Sequence, residues 1–421
     1  MQIIGGRNMK KKRFRILSVA MVAVLGLGLL AGCGKKEAPA EEPTTESTEA
    51  NGANEAGETT EANEAATKNV FEMSEEELIE AAKAEGSVTF AVWHDEALWR
   101  EIGEGFTEKY GIKFDVAMGE KQALTNKVLA EKESAKGSID VMKIGGEDVA
   151  TTIAAQVFMG PTLPHITAKD ELDQKLSVRQ EGVEHGGYLV PLHRNQTGLL
   201  INPERVTNPP QTWAELEAWI EENPKQFGFC NPSEGGSGQA MVFSAIGNVL
   251  DGYDRYEGDD DVVESKTEDW DQVWQWFNDR KDKVTITQSN KDSLSRLNQG
   301  ELTMVVAWDD QTTATIKAGE LFKDAKLYIP EFGLPGGGDS AGIVANSQNP
   351  AAALLLLNYM TSEECQKQLN EVLNTYPART DVDITNTSIN ADDFVNRTDW
   401  IAAGYKEKFI ADFVSNVLMT N

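Results

Sequence analysis

Trp93-His94 and Gly145-Gly146-Glu147 each follow a short apolar, β-rich run, SVTFAVW and IDVMKI. In an α/β sheet, ligands sit beyond the carboxyl ends of strands, so both stretches are placed to meet one. A tryptophan face attracts a cation by about 0.5–2 kcal/mol. A second chemistry lies in SEGGSGQA, Ser233 to Ala240. Glycines ahead of a helix expose N–H groups and the helix dipole favours an anion, which makes Ser237 and the amides near Gly238 candidates to hold one. Without a Gly-Lys-Ser/Thr end the loop is not a P-loop. Arg194 is a second candidate anion contact. Asp309 and Asp310 follow Trp308 and either add negative charge beside it or start a helix as solvated acids. Together these signals imply a ligand with both a cation and an anion.

The elements that must place these groups show as alternating patterns. Ser74 and Glu77 have capping-box spacing ahead of a face formed by Leu78, Ala81 and Ala82, which predicts a helix. Ser87 to Trp93 predicts a buried parallel strand, the run from Ala97 to near Gly111 a helix, and IKFDVAM from Ile112 a strand. Gln122 to Ser134 then predicts a helix and Ile139 to Ile144 a strand. This β-α-β-α-β order argues for an α/β sheet with helices on both faces. GYLVPLHRNQTGLLINPE, Gly186 to Glu204, reads as two strands parted by His193-Arg194-Asn195-Gln196-Thr197. Thr212 caps the helix TWAELEAWIEEN, and FGFCNPSEGGSGQAMVFSAIGNVL reads as strand, glycine loop and helix. LTMVVAW, ending at Trp308, reads as a strand. Asn349-Pro350 forms an N-cap and N1 pair opening AAALLLLNYM, a helix too short to span a membrane.

The 421 residues suffice for two domains, and a formal net charge of −29 excludes nucleic acid as a partner. Lys10 to Arg15 is basic, Ile16 to Leu30 is uncharged, and small residues follow, as in an export signal over 1–32. Leu30-Ala31-Gly32-Cys33 resembles the lipobox of bacterial lipoproteins, which implies that Cys33 becomes the first mature residue and carries lipid. Glu37 to Lys68 holds nine Glu and one Lys among Thr, Ala, Asn and Pro. Such a segment buries too little to offset its ordering entropy, so 33–68 reads as an acidic tether. Cys230 and Cys365 remain, and both are expected to be buried free thiols.

The order of motifs across about residues 85 to 380 resembles that of bacterial extracellular solute-binding proteins, near the polyamine, thiamine and iron branches. YLVPLHRNQTGLLINPERVTNPPQTWAEL is similar to the first lobe-crossing segment of that family, GELTMVVAW to its later strand, and AGIVANSQNPAAALLLLNYMTSEECQKQL to its return to the first lobe. The resemblance implies a two-lobed, hinged periplasmic-binding-protein fold of type II. Lobe 1 would hold 69–194 and 339–375, and lobe 2 would hold 195–338 and 376–421. It also implies a monomer anchored outside the cytoplasmic membrane that serves an ABC permease and ATPase without a cofactor. Trp93 and Trp308 match aromatic walls of the polyamine branch, Asp339 a carboxylate that meets a ligand amine, and Tyr376 a pocket tyrosine. Glu147 stands where that branch has an aromatic residue, a departure that weakens polyamine as the ligand. His94, Gly146 and Asp309 complete the expected site. A polyamine, thiamine, a thiamine phosphate or an aminophosphonate is the expected ligand, with a sugar as the alternative within the family.

An enzyme is the rival class. Gly338-Asp339-Ser340-Ala341-Gly342 has the spacing of a G-x-S-x-G nucleophile elbow, and His185-Gly186-Gly187 resembles an oxyanion loop of esterases. That hydrolase order needs a histidine after the serine, yet His94, His165, His185 and His193 all precede Ser340. A proline-glycine loop leads into the motif and a strand-like run follows, so the required strand, turn and helix are missing. The histidine spacings match no zinc signature. The expectation is therefore a binding protein with no metal site.

Overall fold

Ser74 caps the helix Glu75–Glu85: its side chain accepts from the Glu77 amide and the Glu77 carboxylate accepts from the Ser74 amide. Thr212 and Glu215 repeat the device at Trp213–Glu222, and each such cap stabilises by about 1 kcal/mol. The computed structural model describes residues 69–259, 261–384 and 388–420. The export signal, Cys33 and the tether expected over 1–68 lie outside the described residues.

In chain order the strands are β1 (Ser87–Val92), β2 (Lys113–Met118), β3 (Val141–Ile144), the short pair β4 (Arg179–Gln180) and β5 (Val183–Glu184), and the long β6 (Val190–Ile201). They continue with β7 (Phe227–Cys230), β8 (Val284–Thr287), β9 (Met304–Trp308), β10 (Lys326–Tyr328), β11 (Leu334–Ile343), β12 (Tyr376–Pro377) and β13 (Arg397–Asp399). The main sheet runs β2-β1-β3-β11-β6-β9-β7-β8, with β10 and β12 on β6 and β13 on β11. β1, β2 and β3 are mutually parallel, as are β7, β8 and β9. The antiparallel strands β6 and β11 join the two parallel sets.

Each set has its own core. Phe90, Trp99, Ile102, Phe106 and Leu354 to Leu357 pack beside β1 and β3. Phe227, Phe229, Met241, Trp274, Val305, Phe409 and Phe413 pack beside β7 and β9. Burying such a side chain contributes about 1.5–3 kcal/mol before entropy is counted. The result is a two-lobed periplasmic-binding-protein-like α/β fold. The helix Pro350–Met360 is buried along nearly its whole length in the first core, which explains its lack of a polar face. Among the described residues no helix is long and apolar enough to cross a membrane.

Two expectations are corrected at the crossing. YLVPL and GLLIN are not separate strands. Val190 to Ile201 is a single 12-residue strand, whose first part pairs with β11 and whose last five residues pair with β9. Its polar centre stays in the sheet because its side chains find partners: Gln196 Nε2 donates to Leu334 O at 2.9 Å and Thr197 Oγ1 to Pro335 O at 2.6 Å. The proline-glycine segment before Ser340 is also strand rather than loop. A Cβ on Gly338 would lie 2.0 Å from His193 O, and one on Gly336 would lie 1.8 Å from Gln196 Oε1. Gly338 is required where the two crossing strand backbones close on each other, and a side chain at 336 would displace the buried Gln196 amide.

Candidate ligand-binding cleft

Parallel strands of both lobes end toward a shared cluster of charged and aromatic side chains. From the end of β1 come Trp93 and His94. From β3 comes Lys143, whose side chain is 0% exposed. From β11 comes Asp339, turned by a register shift between Asp339 and Ser340. Lys143 Nζ donates to Asp339 Oδ2 at 2.5 Å, meets His94 Nε2 at 2.7 Å and stands 4.3 Å from the Trp93 ring centroid. His94 Nδ1 bonds the Asp95 carboxylate. His193 Nε2 lies 3.1 Å from Asp339 Oδ2, off the line of a hydrogen bond, and burial pushes the imidazole down. Burial alone would push the Asp339 carboxyl up, but Lys143 and His193 pull it well below the usual carboxylate range. Burial pushes the Lys143 amine down, and Asp339 opposes that push. At 2.5 Å the two form an ion pair.

The exit of β3 adds Gly146 and Glu147. Gly146 has φ +64°, the left-handed region that favours glycine, and lies beside the Lys121 ammonium. Lys121 pairs with Glu147 at 3.1 Å. On the second lobe, Trp308 ends β9 against Gly236 and lies 6.4 Å from the Trp400 ring. Asp309 is not a solvated acid. It is fully buried, and its Oδ1 accepts from the Gln196 amide at 3.0 Å. Burial and the neighbouring Asp310 push its carboxyl well up. Asp310 feels the charges of His193 and Asp339, which places it against the same cluster.

Four expected ligand contacts are committed elsewhere. Ser237 is buried and donates to Asn290 Oδ1 at 2.7 Å. Gly238 is glycine because a Cβ would lie 1.8 Å from Cys230 O, and its amide donates to Gly235 O at 3.1 Å. The Ser237 hydroxyl and the Gly238 amide therefore already have protein partners. Ser237→Ala is expected to cost about 1 kcal/mol in a urea melt and to leave solute affinity unchanged by calorimetry. Arg194 is neither a surface residue nor at the cluster: its Nε donates to Pro377 O at 2.7 Å and its Nη1 faces Asp173 at 3.5 Å. Tyr376 is buried under Phe394, with its hydroxyl donating to Ile389 O at 2.6 Å. Ser340 lies inside a buried strand, not on a strand-to-helix turn. Cys230 and Cys365 are free and buried, and burial pushes both thiols up to about 12, which leaves them unreactive.

Sequence reasoning missed Lys143, Lys121, His193 and the C-terminal pair Trp400 and Lys406. Lys143 did carry a signal, a lone cation inside the apolar run IDVMKI. Trp400 also lines a cavity of about 570 Å³ between lobes, with Arg179, Tyr253, Tyr256, Glu257 and Thr398 on its walls. Trp93, Lys143, Asp339 and Trp308 do not line it. The cavity is thus distinct from the charged cluster, and Trp400 links it to Trp308, 6.4 Å away. Lys406 Nζ stands 4.3 Å from that ring and pairs with Glu181 at 2.7 Å, closing the lobes against each other on this side.

A model of the bacterial extracellular solute-binding protein family matches residues 101–395. A search of curated proteins finds no match to the chain. Among solved structures, the fold is similar to the spermidine/putrescine transporter substrate-binding protein PotD of Streptococcus pneumoniae, with TM-score 0.61 and 12% identity over 78% of this chain and 99% of that one. It is similar to iron-bound HitA of Pseudomonas aeruginosa, with TM-score 0.54 and 18% identity over 77% and 98%. It is also similar to the GacH receptor of Streptomyces glaucescens, solved with acarbose, with TM-score 0.60 and 22% identity over 79% and 93%. These identities carry the fold and no ligand. Two lobes joined by long crossing strands, with most of the chain matched by the family model, make this chain a member of the bacterial extracellular solute-binding proteins, a binding protein and not an enzyme.

Proposed function

We propose that this chain is the lipid-anchored solute-binding subunit of an ABC importer. It captures a small polar zwitterion between its lobes and hands it to a membrane permease driven by an ATPase. Cys33 would carry the anchor, the acidic tether would hold the folded part off the membrane, and the protein would act as a monomer. Lobe 1 (69–194 with 339–375) and lobe 2 (195–338 with 376–421) would close on the solute by its higher affinity for the closed form. One observation supports the ligand class: Trp93 borders a cluster in which Lys143 and Lys121 already have carboxylate partners, and Trp308 ends a strand of the opposite lobe. A net-neutral solute bearing both charges disturbs that balance least, so an aminophosphonate or a thiamine phosphate fits better than a polyamine.

A thermal-shift screen of the purified chain against polyamines, thiamine and its phosphates, aminophosphonates, sugars and ferric iron tests this reading. A rise in Tm with a zwitterion is the expected result; a rise with a polyamine or with iron alone refutes the ligand class. With the ligand found, Trp93→Ala and Trp308→Ala are each expected to weaken binding about tenfold or more in calorimetry, with circular dichroism unchanged. A sugar is the second reading. It is favoured by the aromatic walls of the 570 Å³ cavity, where Arg179 is paired with Glu184 and Lys175 with Asp399.

A further inference from the structure

Lys143 and Val141 point to one face of β3, and Met142 and Ile144 to the other, as strand alternation requires. Three of those four are ordinary core residues. The fourth is an ammonium group that is wholly buried, and such a group is stable only when each of its three N–H donors is answered. Here they are. Asp339 Oδ2 takes one at 2.5 Å, His94 Nε2 takes another at 2.7 Å, and the face of Trp93 lies 4.3 Å away. The His94 tautomer follows from this network: Nδ1–H donates to Asp95, which leaves Nε2 as the acceptor. The backbone makes room for the arrangement, since a Cβ on Gly145 would lie 2.0 Å from Asp339 Oδ1.

We propose that Trp93, His94 and Asp339 form a built seat for a primary alkylammonium, that Lys143 is its resident occupant, and that the filled seat makes this cleft refuse solute amines at that position. An aromatic face, a carboxylate and a neutral imidazole around one point are what an alkylammonium needs. The lysine delivers that group from within the protein, at the end of its own four-carbon stem. A solute amine would have to displace a tethered competitor whose effective concentration is very high. The consequence for transport rests on the solute-binding reading above; the seat itself does not.

Lys143→Ala removes three methylene carbons and the nitrogen, the atoms of n-propylammonium. In this variant n-propylammonium chloride is expected to raise Tm saturably, against sodium chloride at equal ionic strength, with an apparent affinity at least about tenfold above that for wild type. Asp339→Asn added to Lys143→Ala is expected to abolish the rise. A folded Lys143→Ala variant that does not respond to n-propylammonium, or a wild type that responds equally, overturns the proposal. Should Lys143→Ala fail to fold, calorimetry of the wild type with putrescine decides. No binding is expected, and saturable binding lost in Asp339→Asn overturns the seat. If instead no solute in the screen binds the wild type while propylammonium still rescues Lys143→Ala, the solute reading fails and the seat stands.

Discussion

Asp339→Asn is expected to lower the unfolding free energy by about 3–5 kcal/mol, the usual result of removing one partner of a buried ion pair. The loss would show as a reduced midpoint in urea. Lys143 is 0% exposed, so the variant must either keep a buried ammonium without its carboxylate or give up its proton. Asparagine preserves the shape of the side chain, which confines the change to charge. A double variant, Lys143→Met with Asp339→Asn, is expected to recover part of the loss, because the partner left behind is then apolar. Simple addition of the two single losses would argue against coupling. The dependence on pH has a definite sign. The Asp339 carboxyl is held below its ordinary range by Lys143 and His193, against burial. Its contribution is therefore present above the unfolded value of about 3.9 and is lost as pH falls through the folded value. The gap between wild type and Asp339→Asn should stay constant from neutral pH down to about 4 and narrow below it.

The Lys143–Asp339 pair also marks where reading the chain stopped short. Local signals were faithful wherever one residue meets a neighbour a few positions away. The capping boxes at Ser74 and Thr212 form, and Gly86 and Gly111 end their helices in the left-handed region. The strands Ser87–Val92, Val141–Ile144 and Met304–Trp308 lie where their apolar runs are. Failures came where the partner is far along the chain. His193, Arg194 and Gln196 look like a polar break between strands until β11 and β9 supply partners more than 100 residues away. The run of glycines at 336–338 looks like a loop until the opposing strand is seen to leave no space for a Cβ at Gly336 and Gly338. Asp309 looks like a solvated helix-start acid, and only the fold shows the Gln196 amide that receives it. Lys143 needed Asp339, 196 positions later, to make sense of a cation in a core strand. Ser237 and Gly238 show the opposite error. Their local pattern is that of an anion loop, but Asn290, from a distant helix, already takes the serine hydroxyl.

Asp173 gives the second large expected effect, and it separates the scaffold from the cleft. Its carboxylate caps the helix Gln174–Val178 by accepting from the Leu176 amide at 3.0 Å. It also takes two hydrogen bonds from Arg397, at 3.0 and 3.1 Å, and faces Arg194 at 3.5 Å. All three side chains are nearly buried. A single acid thus ties the start of the helix Gln174–Val178 to the crossing strand β6 and to the C-terminal strand β13. Asp173→Ala would leave two nearly buried guanidinium groups with only Asp399, 3.5 Å from Arg397, as a counter-charge, at a cost of about 3 kcal/mol plus about 1 kcal/mol for the lost cap. Asp173→Asn should keep the cap and lose the ion pairs, so the difference between the two variants isolates the cap. Burial pushes the Asp173 carboxyl up and Arg397 pulls it below its ordinary value, so acid removes its contribution only below about pH 4. None of these groups contacts the Trp93–Lys143–Asp339 cluster. Calorimetry on the folded fraction of Asp173→Asn should therefore return the wild-type solute affinity, whereas Asp339→Asn, with its carboxylate at the cleft, should lose both stability and affinity.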